Sequence, residues 1–145
     1  MMAKKSTFKK LIWQKPAFQK GTNNPYILRI TVRENETQVD LGYSSFNIYI
    51  KGGWIRIHPD TYLEDIETGI HYKMTRADGI PIAPTQLHFK TKTDWQYFSL
   101  FFEPLPNKDL IIHFIEPNTL VPSDNGENFD FYHIKLKIED ALEEY

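Results

Sequence analysis

The stretch Gly53–Leu63, GWIRIHPDTYL, decides the fold class. Apolar and polar side chains alternate as far as His58, as in a strand with one buried face, and Pro59-Asp60 then ends the strand as a turn. No nucleophile–base pair, metal-ligand cluster or phosphate-binding loop accompanies it. Further alternating segments follow, separated by Gly, Pro, Asn and Asp. The pattern predicts a β-scaffold with few groups suited to chemistry.

Short strands recur along the chain, about eight to ten of them at intervals of roughly 8–12 residues. The clearest are Tyr26–Arg33 and Trp95–Phe102, and no helical stretch is long enough to connect parallel strands. We therefore predict an all-β fold, an antiparallel two-sheet Ig-like β-sandwich, with a small barrel as the alternative. We expect one shared core to contain Phe98, Leu100, Phe102, Leu28, Ile30 and Val32.

The length of 145 residues suits one domain that can bury a core without disulfides or metals. We predict a flexible basic arm at residues 1–8, a single sandwich domain at 9–138 and a C-terminal tail at 139–145. The net charge of −2 gives no general attraction for nucleic acid or an acidic membrane. The lysines near the start lack an accompanying aromatic or arginine pattern, so we expect a solvated arm and no nucleic-acid partner.

The chain has no cysteine, which excludes thiol catalysis, thiolate metal sites and disulfides. No apolar segment approaches the ~20 residues of a membrane-spanning helix. No apolar region follows the charged N-terminus, as it would in a signal peptide. We therefore expect a soluble chain without a membrane span, and its compartment stays unassigned.

Candidate metal and catalytic residues have unfavourable spacing. The histidines lack the close pairs of metal sites, and the serines lack a nucleophile-elbow context, so we predict no cofactor and no enzyme. Asp124, Asn128 and Asp130 form a candidate calcium loop, because calcium takes carboxylate and amide oxygens. The EF-hand spacing is incomplete, so we expect a solvated turn in preference to a calcium site.

An aromatic surface is the remaining candidate site, and the side chains that could form a sugar-stacking or protein-binding platform are Trp13, Trp54, Trp95, Tyr49, Tyr97 and Tyr132. Trp54 and Arg56 share a strand face, and Tyr62 follows the turn, so these three residues form a candidate binding site. The alternative is that Trp54, like Trp13 and Trp95, packs in the core.

Residues 54–63 also resemble the pattern W-[IV]-R-I-x-x-[DS]-[ST]-Y-L, which belongs to a family of small β-sandwich modules from Gram-negative anaerobic gut bacteria. Those modules often precede a thioredoxin-like domain. Further pieces match in order over about residues 12–138: Pro16-Ala17-Phe18, Ala77-Asp78-Gly79-Ile80, Phe102-Glu103-Pro104-Leu105-Pro106, Phe114-Ile115-Glu116 and the closing strand Phe129–Leu136.

The resemblance implies an accessory, non-catalytic domain of envelope or secreted proteins with no established ligand. The chain has no Cys-x-x-Cys pair, so redox activity does not carry over. We expect an interaction module that binds a protein, with weak self-association as one outcome. A carbohydrate-binding module is the alternative, and it would require two or three exposed coplanar aromatic side chains.

Overall fold

The computed structural model of the chain describes residues 9–21, 26–44, 54–55, 57–80, 82, 87–88, 95–117 and 130–144. These residues contain strands and one short 3₁₀ turn, Ile138–Asp140, and no α-helix. Consequently they include no helix that is long and apolar enough to span a membrane. The strands are β1 Lys10–Gln14, β2 Lys20–Gly21, β3 Tyr26–Val32, β4 Thr37–Ser44, β5 Trp54–Ile55, β6 Tyr62–Asp65, β7 His71–Asp78, β8 Leu87–His88, β9 Trp95–Phe102, β10 Leu110–Ile115, β11 Phe131–Leu136 and β12 Leu142–Glu144.

Every ladder between these strands is antiparallel, which confirms the predicted all-β antiparallel class. Ten of the strands form one sheet in the order β12-β1-β3-β4-β9-β7-β6-β10-β11-β2, and β5 pairs with β8 apart from it. The ten strands are thus continuous, whereas the predicted sandwich would divide them between two separate sheets.

Strand β7 is the reason for this continuity. Its first residues pair with β6, as His71 does with Glu64, and its last residues pair with β9, as Asp78 does with Ser99. A register shift lies between Met74 and the residues that follow it. Such an irregularity bends a strand, and here it lets β7 leave one neighbour and join the other.

The N-terminal segment contributes to both ends of the strand order. Lys15, with a positive φ of 46°, turns the chain out of β1. Beyond the turn, Ala17 O accepts a hydrogen bond of 3.0 Å from Lys135 N, and β2 then pairs with β11. The Trp13 indole N–H donates to Lys137 O at 2.8 Å. One segment therefore ties the two ends of the sheet order together.

Residues 54–63 contain a two-residue strand, shorter than the strand predicted as far as His58, and the predicted turn. Trp54 and Ile55 form β5, and the chain turns at Pro59-Asp60 before β6 begins. The Thr61 hydroxyl donates to His58 O at 2.7 Å, and His58 N donates to the Glu116 carboxylate at 2.8 Å. These bonds fix the turn against the end of β10.

The C-terminal segment differs from the tail expected at residues 139–145. After the 3₁₀ turn, Leu142–Glu144 forms β12 and pairs with β1, with Leu142 opposite Ile12. The segment extends the sheet by one strand. Residues 1–8, expected to be a flexible arm, lie outside the described residues.

The predicted core is confirmed for five of its six positions: Phe98, Leu100, Phe102, Ile30 and Val32. Leu28 is half-buried instead. In the pairing of β3 with β4, the register shifts between Ile27 and Arg29, so Leu28 is an extra residue. This bulge turns Ile27, which is 6% exposed, into the core in its place.

Aromatic contacts join the two halves of the sheet, which are β12-β1-β3-β4-β9 and β6-β10-β11-β2, with β7 between them. The Phe102 ring on β9 lies 5.8 Å from the Phe114 ring on β10, measured between centroids, and Phe114 lies 5.6 Å from Phe131 on β11. Since all three side chains have no exposed surface, they form the centre of the core.

Replacing Phe102 with alanine should lower the free energy of unfolding by about 3–5 kcal/mol, because it leaves a cavity between the halves. Urea denaturation measures this change. Ile70→Ala, at a side chain that is 52% exposed, is the control and should change stability little. Equal stabilities of the two variants would contradict the core assignment.

Candidate functional site

Two tyrosines project from the outer side of the sheet, on either side of a glycine. Tyr26 on β3 pairs with Gly42 on β4, and Gly42 pairs with Tyr97 on β9. Tyr97 is 66% exposed and Tyr26 is 53% exposed. We call Tyr26, Leu28, Gly42 and Tyr97 the tyrosine face.

Gly42 lets the Tyr97 ring lie against the sheet. A Cβ atom at Gly42 would be 3.3 Å from Tyr97 Cε1 and 3.5 Å from Leu28 Cδ1. The ring therefore covers the position that a side chain would occupy. Tyr97 nevertheless remains largely exposed.

A row of hydrogen-bonded polar side chains runs beside the tyrosine face. Asp40 Oδ2 accepts a bond of 2.8 Å from Arg29 Nε, while Oδ1 accepts bonds of 2.6 Å from Ser99 Oγ and 2.7 Å from Gln38 Nε2. Partial burial raises the pKa of Asp40, but these hydrogen bonds and the Arg29 charge outweigh it and hold the pKa below its ordinary value. Asp40 is thus a fixed carboxylate.

A shallow groove of about 390 Å³ connects this row with the tyrosine face, and its lining includes Leu28, Arg29, Asp40, Asp78, Gly79, Tyr97 and Ser99. Gly79 follows β7 with a φ of +83°, and a Cβ there would lie 2.8 Å from Tyr97 O. Only glycine combines this conformation with this close approach. The Gln96 side-chain amide donates to Gly79 O, which fixes the turn against β9.

A second polar surface lies on the outer side of the other half, and we call it the histidine face: Tyr62, Glu64, His71, His113, Tyr132 and His133. The rings of Tyr62 and His71 stack with centroids 4.1 Å apart, and His71 Nε2 lies 3.5 Å from Glu64 Oε2. Burial, followed by the charges of Glu64 and Asp130, raises the pKa of Tyr62, which keeps its phenol neutral.

His113 stabilises the position where the register between β10 and β11 shifts. Its Nδ1 accepts a hydrogen bond of 3.1 Å from the backbone N–H of His133, a residue with a φ of +57°. Nδ1 must be unprotonated to accept this bond. Burial and then the nearby His133 lower the pKa of His113, while Glu64 acts in the opposite direction.

The structure describes one residue of the candidate calcium loop. Asp130 Oδ1 accepts a bond of 2.9 Å from Glu116 N, and Oδ2 accepts one of 3.3 Å from the Tyr132 hydroxyl. Asp124 and Asn128 lie outside the described residues. Within the described ranges, no three His, Cys, Asp or Glu side chains are grouped so that they could hold a metal ion.

Of the three candidate binding residues from the sequence, the structure describes the side chain of Tyr62 alone. The Trp54 main chain pairs with His88, but the Trp54 side chain and all of Arg56 lie outside the described residues. Tyr62 is half-buried on the histidine face. Tyr97 is among the aromatic side chains predicted for a binding platform, on the strand face opposite Phe98, whereas Tyr26 was not predicted as part of it.

These surfaces offer aromatic faces together with hydrogen-bond donors and acceptors, which is the chemistry of recognition. Comparisons with protein-family models, curated proteins and solved structures gave no match. The function is therefore argued from the site itself.

Asp40→Asn should remove a pH-dependent part of the stability. A folded-state pKa below the ordinary 3.8 gives stability that is present above pH 3.8 and lost as the pH falls through the folded value. At pH 7 the variant should be less stable by about 1–2 kcal/mol, and its further loss in acid should be smaller. Urea denaturation at pH 7 and pH 3 measures both effects, with exposed Asp140→Asn as control. A wild-type pH profile in Asp40→Asn would contradict the network.

His113→Asn should flatten the stability profile of the protein in weak acid. Because the folded pKa of His113 lies below the ordinary 6.5, its contribution is fully present above pH 6.5 and is lost as the pH falls towards the folded value. Asparagine keeps an oxygen near the Nδ1 position for the His133 N–H but does not titrate. Thermal unfolding between pH 7.5 and pH 5 should show a shallower decline than in wild type. Parallel declines would show that His113 does not act in this way.

Proposed function

We propose that this chain is a non-catalytic accessory module of an envelope or secreted protein, and that it acts by binding a partner through the tyrosine face. One observation carries the proposal: Tyr26 and Tyr97 are exposed on the same outer surface of the sheet, on either side of Gly42. Grouped exposed aromatic side chains are typical of interaction sites, whereas a single exposed one is ordinary.

The tyrosine face is suited to binding because its parts are already ordered. Tyrosine offers a large contact area with only two side-chain torsions to fix, so binding loses little conformational entropy. The Arg29 side chain beside it is held by Asp40, although it is 49% exposed. Less freedom then remains to be lost when a partner binds.

A protein is one candidate partner, because tyrosine and arginine are the enriched anchors of protein interfaces. Weak self-association is included in this proposal. A glycan is the other candidate, and it is favoured by the open aromatic surface beside a fixed polar row.

Two features support the proposed kinship with Ig-like accessory modules of gut bacteria. The contact of Phe102 with Phe114 packs one half of the sheet onto the other, as in a two-layer sandwich. The pieces shared with that family hold the fold together: Leu105 N donates to the buried Thr37 hydroxyl at 2.9 Å, and the Glu116 carboxylate accepts from His58 N.

Photo-crosslinking tests the proposed binding face. A benzophenone amino acid at position 97 should give covalent adducts in producing cells, and Tyr26→Ala should reduce them at least fivefold without changing the melting temperature. The same probe at position 70, which is exposed elsewhere, is the control. No adducts at position 97, or equal adducts at both positions, would contradict a protein partner at this face.

A further inference from the structure

We infer that the ligand of the tyrosine face is a neutral oligosaccharide, with one sugar ring stacked on Tyr97 and its hydroxyl groups bound by Arg29 and Asp78. This inference rests on the proposed function, because it names the ligand class of the same face.

The Tyr97 ring supplies the stacking surface. It lies over Gly42, with two ring atoms 3.3 and 3.4 Å from the position of the missing Cβ, and it is 66% exposed. Two atoms of one ring edge therefore pack over Gly42, and the 66% exposure leaves much of the side chain accessible to a ligand. The C–H groups on one side of a pyranose carry a slight positive charge, which the negative face of an aromatic ring attracts.

The groove beside Tyr97 supplies both donors and acceptors. Arg29 bonds to Asp40 through Nε, and its two terminal amino groups remain as further donors. Asp78 is exposed and lines the same groove, and its side chain is a carboxylate that can accept hydrogen bonds. A sugar hydroxyl both donates and accepts, so adjacent hydroxyls can use the two side chains together.

The charges at the groove favour a neutral ligand. The Arg29 charge is compensated by Asp40 at 2.8 Å, so an anionic ligand would meet Asp78 without a free cation opposite it. A cationic ligand would find an exposed carboxylate in Asp78, but such surface pairs contribute little in water. A ligand that needs hydrogen bonds and an apolar contact, and no net charge, matches the groove best.

The fold explains how these groups come together. Tyr97 and Ser99 are alternate residues of β9, whereas Asp78 and Gly79 come from the end of β7. The close approach of Gly79 to Tyr97 O fixes the distance between the Asp78 turn and the stacking ring. Gly42 is a positioning residue in this arrangement, because a side chain there would push the Tyr97 ring away from the sheet.

Affinity electrophoresis of the whole chain tests the inference. The gels contain soluble β-glucan, xylan, galactomannan or amylose as neutral probes, and polygalacturonate as an anionic one. At least one neutral polysaccharide should retard the wild-type chain. Tyr97→Ala and Asp78→Ala should weaken this binding at least tenfold, whereas Tyr97→Phe, which keeps the stacking face, should stay within about threefold of wild type. Ile70→Ala is the surface control and should bind as wild type does.

Gly42→Ala separates positioning from stability. The added methyl group should displace the Tyr97 ring and weaken retardation at least threefold, while thermal unfolding verifies that the variant is folded. If that variant does not fold, the Tyr97 and Asp78 variants decide the question alone.

The remaining outcomes distinguish the inference from the proposed function. Retardation by polygalacturonate alone, or retardation unchanged by Tyr97→Ala, would overturn the inference. Absence of retardation by every polysaccharide, together with Tyr26-dependent protein adducts at position 97, would overturn it and leave the binding module standing. Absence of both signals would refute both.

Discussion

Strand β7 pairs with β6 along its first residues and with β9 along its last, and the rest of the sheet depends on this double ladder. At the point of exchange, Met74 N donates to Thr61 O at 3.0 Å and Glu103 N donates to Lys73 O at 2.9 Å. Backbone groups that leave one ladder are therefore satisfied before they enter the next. Without β7, each half would have an open edge, and no hydrogen-bonded strand would lie between β9 and β6 beside the Phe102–Phe114 contact.

The candidate site is a consequence of this arrangement. Because β7 reaches β9, its end places Asp78 and Gly79 beside Tyr97, and the same ladder aligns Ser99 with Asp40 on β4. The groove thus combines residues that are distant in sequence but lie on strands paired with one another. Precise recognition sites are commonly built on strands of this kind, since the backbone limits their motion.

Residue alternation predicted the all-β class and most of the core, because the two-residue period of a strand is a local property. It placed Leu28 in the core, since no local signal shows the bulge that puts Ile27 there. The exchange of β7 between partners and the pairing of β12 depend on contacts far apart in the chain. Tyr97 was among the predicted candidate aromatics, but its grouping with Tyr26 was not predicted because that grouping follows from strand order, which alternation does not specify.

Native-state hydrogen exchange of the β7 amides tests most directly whether this strand unites the two halves. The account predicts that amides of His71–Lys73 and of Arg76–Asp78 that donate in the ladders exchange with similar free energies. Those values should lie within about 1 kcal/mol of the free energy of global unfolding, as expected for a single cooperative unit. A clearly lower free energy for β6, β10 and β11 than for β3, β4 and β9 would contradict the account. It would show two units that open separately, with β7 belonging to only one of them.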